Sequence, residues 1–171
     1  MLRIFGVILI CISTAMMGMS AGKRVHTRSK VLSEFISALD LMITEISCLL
    51  TPIEEILEKL VKETPEPIRG FFYQCLSARR TKEEARFQEI WLKELKSAEF
   101  LCLSEVDIAL LSEIGNSFGK YSGEEQVRVM KGIQRKLVKL QATAQEECMK
   151  NGRLYRSLGI TCGIALVILL I

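Results

Sequence analysis

The residues with the widest chemical repertoire in this sequence are one histidine and six cysteines. His26 has no cysteine near it in the sequence, and the cysteines are widely spaced with no C-x-x-C pair. Zinc sites need several Cys or His ligands at short spacing, and a nucleophilic cysteine needs an adjacent base. This pattern disfavours zinc binding and Cys–His catalysis, and it predicts a solvated His26 and reduced, mostly buried thiols.

Paired glutamates are the next candidates for acid–base or metal chemistry. Three of the four pairs fall in the first turn of a predicted helix, where carboxylates stabilise the positive end of the helix dipole. A structural use is therefore favoured over a catalytic one. The pairs are Glu54-Glu55, Glu83-Glu84, Glu124-Glu125 and Glu146-Glu147.

Glu45 is a different kind of carboxylate, because it lies in the otherwise apolar stretch from Leu41 to Leu50. There it would be partly buried or presented to a partner protein, and a simple solvent-facing position is an equal alternative. We retain Glu45 as a candidate partner-interface residue.

Motifs for cofactors and nucleic acid are missing from the sequence. Neither G-x-x-x-x-G-K-[ST] nor G-x-G-x-x-G occurs, so the backbone cradles that bind nucleotide phosphates are not predicted. The net charge is only +3, with acidic and basic residues interleaved, unlike a nucleic-acid footprint. We predict a protein with no catalytic residues, no metal and no cofactor.

Both ends of the chain are apolar and long enough to suggest membrane segments. Residues 4–21 carry no charge and as a helix would extend about 27 Å, close to the thickness of a bilayer core. A cleaved signal peptide is the alternative, but Met19 would stand where the cleavage site needs a small residue. Residues 157–171 are also uncharged, and Arg156 can extend this shorter segment by reaching back to the interface.

Basic residues flank the inner side of both apolar segments. They predict that the middle of the chain lies in the cytoplasm, since cations next to membrane helices stay on that side. Only Arg3 lies outside, whereas the inner cations are Lys23, Arg24, Arg28, Lys30, Lys150, Arg153 and Arg156.

Small residues in both apolar segments recur at the spacing of helix-packing faces. Close approach of two membrane helices uses such faces, although glycine is also generally commoner in membrane helices. The candidate transmembrane packing residues are Thr14, Gly18, Gly22, Gly159 and Gly163.

Between these segments, apolar residues recur at steps of three and four, which is the pattern of amphipathic helices. This spacing predicts that Leu49, Trp91 and Val106 lie on buried faces. Capping boxes predict helix starts at Thr51 with Glu54, Thr81 with Glu84, and Ser122 with Glu125, and Ser104 with Asp107 marks another start. The last helix has no internal proline and can continue into the second membrane segment.

The sequence thus predicts an all-α protein: an antiparallel bundle of about six helices with a transmembrane helix at each end. The predicted division is a short outer end (1–3), transmembrane helix 1 (4–21), a basic juxtamembrane segment (22–30), the cytoplasmic bundle (31–150), a second basic juxtamembrane segment (151–156) and transmembrane helix 2 (157–171).

This order of parts, together with particular residues spread over the whole chain, resembles the stage III sporulation protein AB family of endospore-forming bacteria. The residues that carry the resemblance are Glu45-Ile46, Thr51-Pro52, Pro65, Pro67, Trp91, Asp107, Gly115, Gly119, Gln126 and the tail Ser157-Leu158-Gly159 with Gly163 and Val167-Ile168-Leu169-Leu170.

The resemblance implies a non-enzymatic component of the sporulation channel between mother cell and forespore, with a bundle similar to the cytoplasmic domains of type II secretion protein F. It further implies a place in the mother-cell membrane facing the forespore. The implied partners are a secretion-type ATPase, stage III sporulation protein AA, and other membrane proteins of the complex, with a homo-oligomer also possible. A membrane-tethered regulatory or sensor bundle is the alternative.

Overall fold

The structure is a computed structural model that describes residues 24–49, 51–81, 85–121 and 123–170, of which residues 151–170 are described by their backbone alone. Within these ranges every regular element is helical, so the predicted all-α class is confirmed. The six α-helices are α1 (24–44), α2 (Ile53–Glu63), α3 (Ile68–Thr81), α4 (Phe87–Ser97), α5 (Glu105–Ser117) and α6 (Gly123–Leu170).

Helix α1 ends in a widened turn rather than in regular α-helix. Residues Glu45–Leu49 form a π-helix, which adds a residue to the turn and changes the direction in which later side chains point. Leu49, which the periodic pattern placed on the buried stripe, is 62% exposed. That expectation was wrong because the π-turn shifts the helical register after Glu45.

Helix α2 begins without the capping box predicted from Thr51 and Glu54. Pro52 occupies the N-cap and no side chain caps the helix. The Thr51 hydroxyl instead donates to Glu45, at 2.7 Å, while Glu54 accepts from Arg79 at 3.1 Å. The box is absent because the helix begins one residue later than predicted, with Pro52 at the N-cap, and Glu54 pairs with Arg79 instead.

The capping box predicted from Thr81 and Glu84 was also wrong, because Thr81 does not precede a helix. Thr81 is the last residue of α3, and its hydroxyl donates to the Ser77 carbonyl one turn earlier, at 2.8 Å. Helix α4 begins at Phe87 after Arg86 at the N-cap. Glu84 and Ser122 lie outside the described residues.

At the start of α5, Ser104 and Asp107 form the capping motif that the sequence predicted. The Asp107 amide donates to Ser104 Oγ at 3.3 Å, and the Ser104 amide donates to Asp107 Oδ2 at 2.8 Å. Val106, however, was predicted to face inward and is 61% exposed, because the inward position in this turn is occupied by Asp107.

The core is centred on Trp91, which is fully buried. Its ring packs edge-on against Phe71 with centroids 5.0 Å apart, and its Nε1–H donates to the Leu111 carbonyl at 2.9 Å. A Cβ on Gly115 would lie 2.6 Å from Trp91 Cδ1, so only glycine allows α5 to approach α4 this closely. The sole tryptophan is the core residue that the helical spacing predicted.

The helices run alternately up and down, which gives the bundle two ends. The proximal end comprises residues 24–30, 95–108 and 144–150, where the start of α1 meets the start of α5 and the later part of α6. The distal end comprises residues 45–49, 51–54, 79–81, 85–88 and 117–121. There Phe87 packs on Phe118 with ring centroids 4.9 Å apart. Helix α6 is antiparallel to α1, as Gln134 donates to Asp40 at 2.6 Å.

The membrane predictions concern parts of the chain that the structure describes only in part. Residues 4–21 lie outside the described residues, and the predicted second segment falls on the last turns of α6, whose backbone is helical to Leu170. Among the residues whose side chains the structure describes, no helix combines the length and apolar character needed to cross a membrane.

Candidate functional sites at the two ends of the bundle

Glu45, the predicted interface residue, lies at the distal end at the start of the π-helix and is only 9% exposed. Its Oε2 accepts a hydrogen bond from Lys59 Nζ at 2.7 Å and from Thr51 Oγ1 at 2.7 Å. These two contacts join the end of α1 to the α1–α2 connection and to α2. The carboxylate therefore holds the connection between the first two helices.

The electrostatics of Glu45 agree with this geometry. The hydrogen bond from Lys59, followed by that from Thr51, lowers the pKa of the Glu45 carboxyl, and these effects exceed the opposing effect of burial. Glu45 is thus held as a carboxylate within its own chain. Its use at a partner interface stays a prediction.

The residues that follow Glu45 in the π-turn are more accessible than Glu45 itself. Ser47, Cys48 and Leu49 are all exposed, and Leu49 is among the most exposed large apolar side chains of the described residues. A turn fixed by Glu45 therefore presents an apolar side chain at the distal end.

The predicted membrane packing residues are placed only in part. Thr14, Gly18 and Gly22 lie outside the described residues. Gly159 and Gly163 lie on α6, where their spacing of four puts them on one face of the helix.

The proximal end contains a buried ion pair between Arg28 of α1 and Asp107 of α5. Arg28 Nε lies 2.6 Å from Asp107 Oδ2, and Arg28 Nη2 lies 3.0 Å from Oδ1. This is a two-pronged contact of the kind that fixes both position and orientation. The Asp107 side chain is fully buried and that of Arg28 is 17% exposed.

The charge of Asp107 is compensated from two directions. Burial alone would raise the pKa of its carboxyl, but the hydrogen bonds from Arg28 and from the Ser104 amide and hydroxyl outweigh burial and lower it. The same contact raises the pKa of Arg28, against the smaller opposing effect of burial. Both groups therefore stay charged inside the bundle.

Arg28 also reaches α6, which makes the site a three-helix cluster. Its Nη1 lies 3.0 Å from Oε2 of Glu147, whose side chain is 50% exposed. Two residues before Arg28 on α1, His26 Nδ1 approaches Cys148 Sγ at 3.9 Å. We call Arg28, Asp107 and Glu147 the proximal clamp, because these residues join α1, α5 and α6 at the end where the chain leads to its two apolar segments.

The proximal clamp was not predicted from the sequence. Arg28 was interpreted as a juxtamembrane cation, Asp107 as a capping residue and Glu147 as part of an acidic pair. Arg28 and Asp107 are 79 positions apart, and no local pattern links them. The one available signal was Asp107 itself, a carboxylate in the first turn of a helix whose other residues are mostly apolar.

The clamp has the chemistry of a structural joint. A bidentate Arg–Asp pair is fully satisfied by its own partners, and a capping box uses the remaining carboxylate capacity. Within the described ranges, no three His, Cys, Asp or Glu side chains come together as metal ligands. The arrangement can fix the relative positions of three helices.

Comparison with known proteins agrees with the resemblance noted in the sequence. The profile of the stage III sporulation protein AB family matches residues 3–171. The stage III sporulation protein AB of Bacillus subtilis (strain 168) is 24% identical over 171 residues, covering 99% of each chain. A solved structure of a stage III sporulation protein AB superposes with a TM-score of 0.65 at 18% identity, covering 72% of this chain and 97% of that one.

Proposed function

The chain belongs to the stage III sporulation protein AB family, and from this we propose that it is a non-enzymatic scaffold of the sporulation channel complex between mother cell and forespore. In this role it couples a cytosolic secretion-type ATPase to membrane components of the complex. Nothing is turned over by the chain itself.

The observation that carries the scaffold role is the proximal clamp. It fixes α1 against α5 and α6 at the end of the bundle from which both apolar segments extend, through the contacts of Arg28 with Asp107 and Glu147. Helix α6 is continuous from Gly123 to Leu170. A load applied at the distal end of such a bundle is passed to the proximal end without an intervening hinge in α6.

We further propose that the two apolar segments, residues 4–21 and 157–171, cross the mother-cell membrane that faces the forespore, with the bundle in the cytoplasm. The support is their lack of charge and the cations on their inner flanks. The small residues Thr14, Gly18, Gly22, Gly159 and Gly163 then pack against other membrane proteins of the complex.

The ATPase partner follows from family resemblance: stage III sporulation protein AA. Binding is tested with the full-length chain in detergent micelles and the purified ATPase, by co-purification and by calorimetry. We expect a complex at micromolar concentrations, as is typical of a reversible cytosolic partner. Failure of the wild-type chain to bind the ATPase in both measurements would remove the adaptor role.

Deletion of the gene gives an independent test in cells. A channel component should block development of engulfed forespores, whereas a general membrane-tethered regulator need not stop development at that stage. Normal spore yield from the deletion strain would contradict the proposal.

A further inference from the structure

A pocket at the distal end combines aromatic walls with two exposed cations, Arg86 and Lys120, that form no ion pair among the described residues. It is a groove open to solvent, with a volume of about 780 Å³, between the starts of α2 and α4 and the turn that follows α5. Phe87 and Phe118, in edge-to-face contact, and Ile53 supply the apolar surface. We call Ile53, Arg79, Arg86, Phe87, Phe118 and Lys120 the distal basic pocket.

The three cations of this pocket differ in how they are compensated. Arg79 lies 3.1 Å from Glu54 Oε1 and donates to the Ala85 carbonyl at 2.9 Å. Arg86 and Lys120 are exposed, and neither forms an ion pair among the described residues. The Lys120 ammonium lies over the Tyr121 ring, 5.2 Å from its centroid. In the part of the chain that the structure describes, two positive charges thus border an apolar surface without an ion-pair partner.

The backbone adds further donors to the same place. Helix α4 begins at Phe87 inside the pocket, and no side chain caps its N-terminus. The Glu89 amide already donates to the Arg86 carbonyl at 2.9 Å, so the donors at this helix start are the amides of Phe87 and Gln88, which carry partial positive charge. The charge of the pocket is therefore positive from both its side chains and its backbone.

We propose that the distal basic pocket docks an acidic segment of a partner protein, in which carboxylates adjoin an apolar side chain. The carboxylates meet Arg86 and Lys120, and the apolar side chain packs on Phe87 and Phe118. A free phosphate fits less well, because the aromatic walls offer it no hydrogen bonds. The inference rests on the proposed function in that the partner approaches from the cytosolic side.

The test uses the full-length chain in detergent micelles and a fluorescent probe peptide in which Asp and Glu alternate with Leu and Phe. The fluorescence anisotropy of the peptide should show saturable binding to the chain at physiological salt concentration. The charge-reversal pair Arg86→Glu with Lys120→Glu should weaken binding about tenfold or more, since like charges then face each other. Both residues are exposed, so the fold should be retained, which circular dichroism checks.

Lys131→Glu with Lys139→Glu is the matched control, as it makes the same change in net charge at exposed positions on α6 outside the pocket. It should leave the affinity for the probe within about twofold. Equal weakening by the two double variants would overturn the proposal, because the attraction would then be non-specific. Competition by millimolar inorganic phosphate as strong as that by unlabelled peptide would overturn it in favour of a phosphate site.

The same variants separate this inference from the adaptor role. If the ATPase binds the wild-type chain and the Arg86→Glu, Lys120→Glu variant equally, the adaptor role stands and the pocket assignment to that partner fails. If the wild-type chain binds the probe peptide but not the ATPase, the pocket stands and the adaptor role fails.

Discussion

Asp107 combines two local roles that sequence patterns normally assign to different residues. It closes the capping box of α5 with Ser104, and it holds the Arg28 guanidinium inside the bundle. A carboxylate with no exposed surface is tolerated because every contact it makes is to a donor. The Asp107 carboxylate, neutralised by Arg28, thus links α1 to the start of α5.

The first prediction concerns Asp107→Asn. The amide keeps the shape but leaves Arg28 with only the half-exposed Glu147 as a carboxylate partner. We expect the free energy of unfolding to fall by about 2 kcal/mol, which is less than the roughly 3–5 kcal/mol for breaking a fully buried pair because Arg28 is partly accessible. Urea denaturation measures this. The control, Glu105→Gln at an exposed position in the same helical turn, should cost no more than about 0.5 kcal/mol.

The difference in unfolding free energy between wild type and Asp107→Asn should depend on pH, because the pKa of Asp107 is lowered in the folded state. The ionised form of Asp107 is stabilised in the folded state relative to the unfolded state. Its contribution to the free energy of unfolding is therefore fully present above the ordinary carboxyl pKa of 3.8. It is lost as pH falls through the lower folded value. The stability gap between wild type and Asp107→Asn should therefore narrow below about pH 4. A gap that is constant from pH 7 to pH 2.5 would contradict this.

A second residue-scale prediction uses the close contact at Gly115. In Gly115→Ala the new Cβ would lie 2.6 Å from Trp91 Cδ1 and 2.9 Å from Trp91 Cβ, so α5 must move away from α4. We expect a loss of about 1–3 kcal/mol in the free energy of unfolding, as for overpacking of a core. Gly132→Ala on α6 meets no atom within 4 Å and should be neutral or stabilising by up to about 1 kcal/mol.

At the scale of elements, the π-turn shows how tertiary contacts redirect a helix end. Glu45, Lys59 and Thr51 meet there, and Thr51 gives up the helix cap that its spacing with Glu54 would otherwise form. The backbone of the turn is therefore held by side chains from the following connection and helix.

The third prediction is that Glu45→Gln loosens this element alone. The ion pair with Lys59 is lost, and one hydrogen-bond acceptor becomes a donor group. Amide hydrogen exchange should speed up in residues 45–51 while residues 133–144 of α6 stay protected. Glu55→Gln, an exposed change on α2, is the control. Unchanged exchange in the π-turn would show that Glu45 does not hold it.

At the scale of the whole molecule, the bundle is a rigid connection between two ends with different chemistry. The proximal end joins α1, α5 and α6 through the proximal clamp, and the distal end offers the distal basic pocket and the exposed Leu49. Helix α6 runs from the distal end through the proximal end and continues into the second apolar segment. Its continuity therefore sets the orientation of the bundle relative to that segment.

The fourth prediction tests that continuity, and it depends on the proposed function. Insertion of Gly-Ser-Gly between Lys150 and Asn151 breaks α6 below the proximal clamp while leaving the bundle intact. We expect retained ATPase binding but a large loss of heat-resistant spores, because the bundle can no longer hold a fixed orientation. Gly152→Ala keeps the length and favours the helix, and it should preserve spore yield. Normal sporulation with the insertion would show that a flexible tether suffices.

Much of the helical architecture follows from the sequence because it depends on short-range periodicity. The buried faces of α3 and α4 and the position of Trp91 agree with the spacing of apolar residues. The cap at Ser104 agrees as well, since its partner Asp107 is only three residues away. The family resemblance, which the family profile bears out, likewise depends on residues in linear order.

The tertiary structure alone decided which charges meet and where local motifs give way. Arg28 and Asp107 become a pair only when the folded chain closes a separation of 79 residues, and nothing near either residue specifies the other. The predicted cap at Thr51 did not form because the N-cap of α2 is Pro52, and the one at Thr81 did not form because α3 continues to Thr81 and α4 begins only at Phe87. Local propensity sets the helices, whereas the contacts that fix the two ends depend on distant residues brought together by packing of the core.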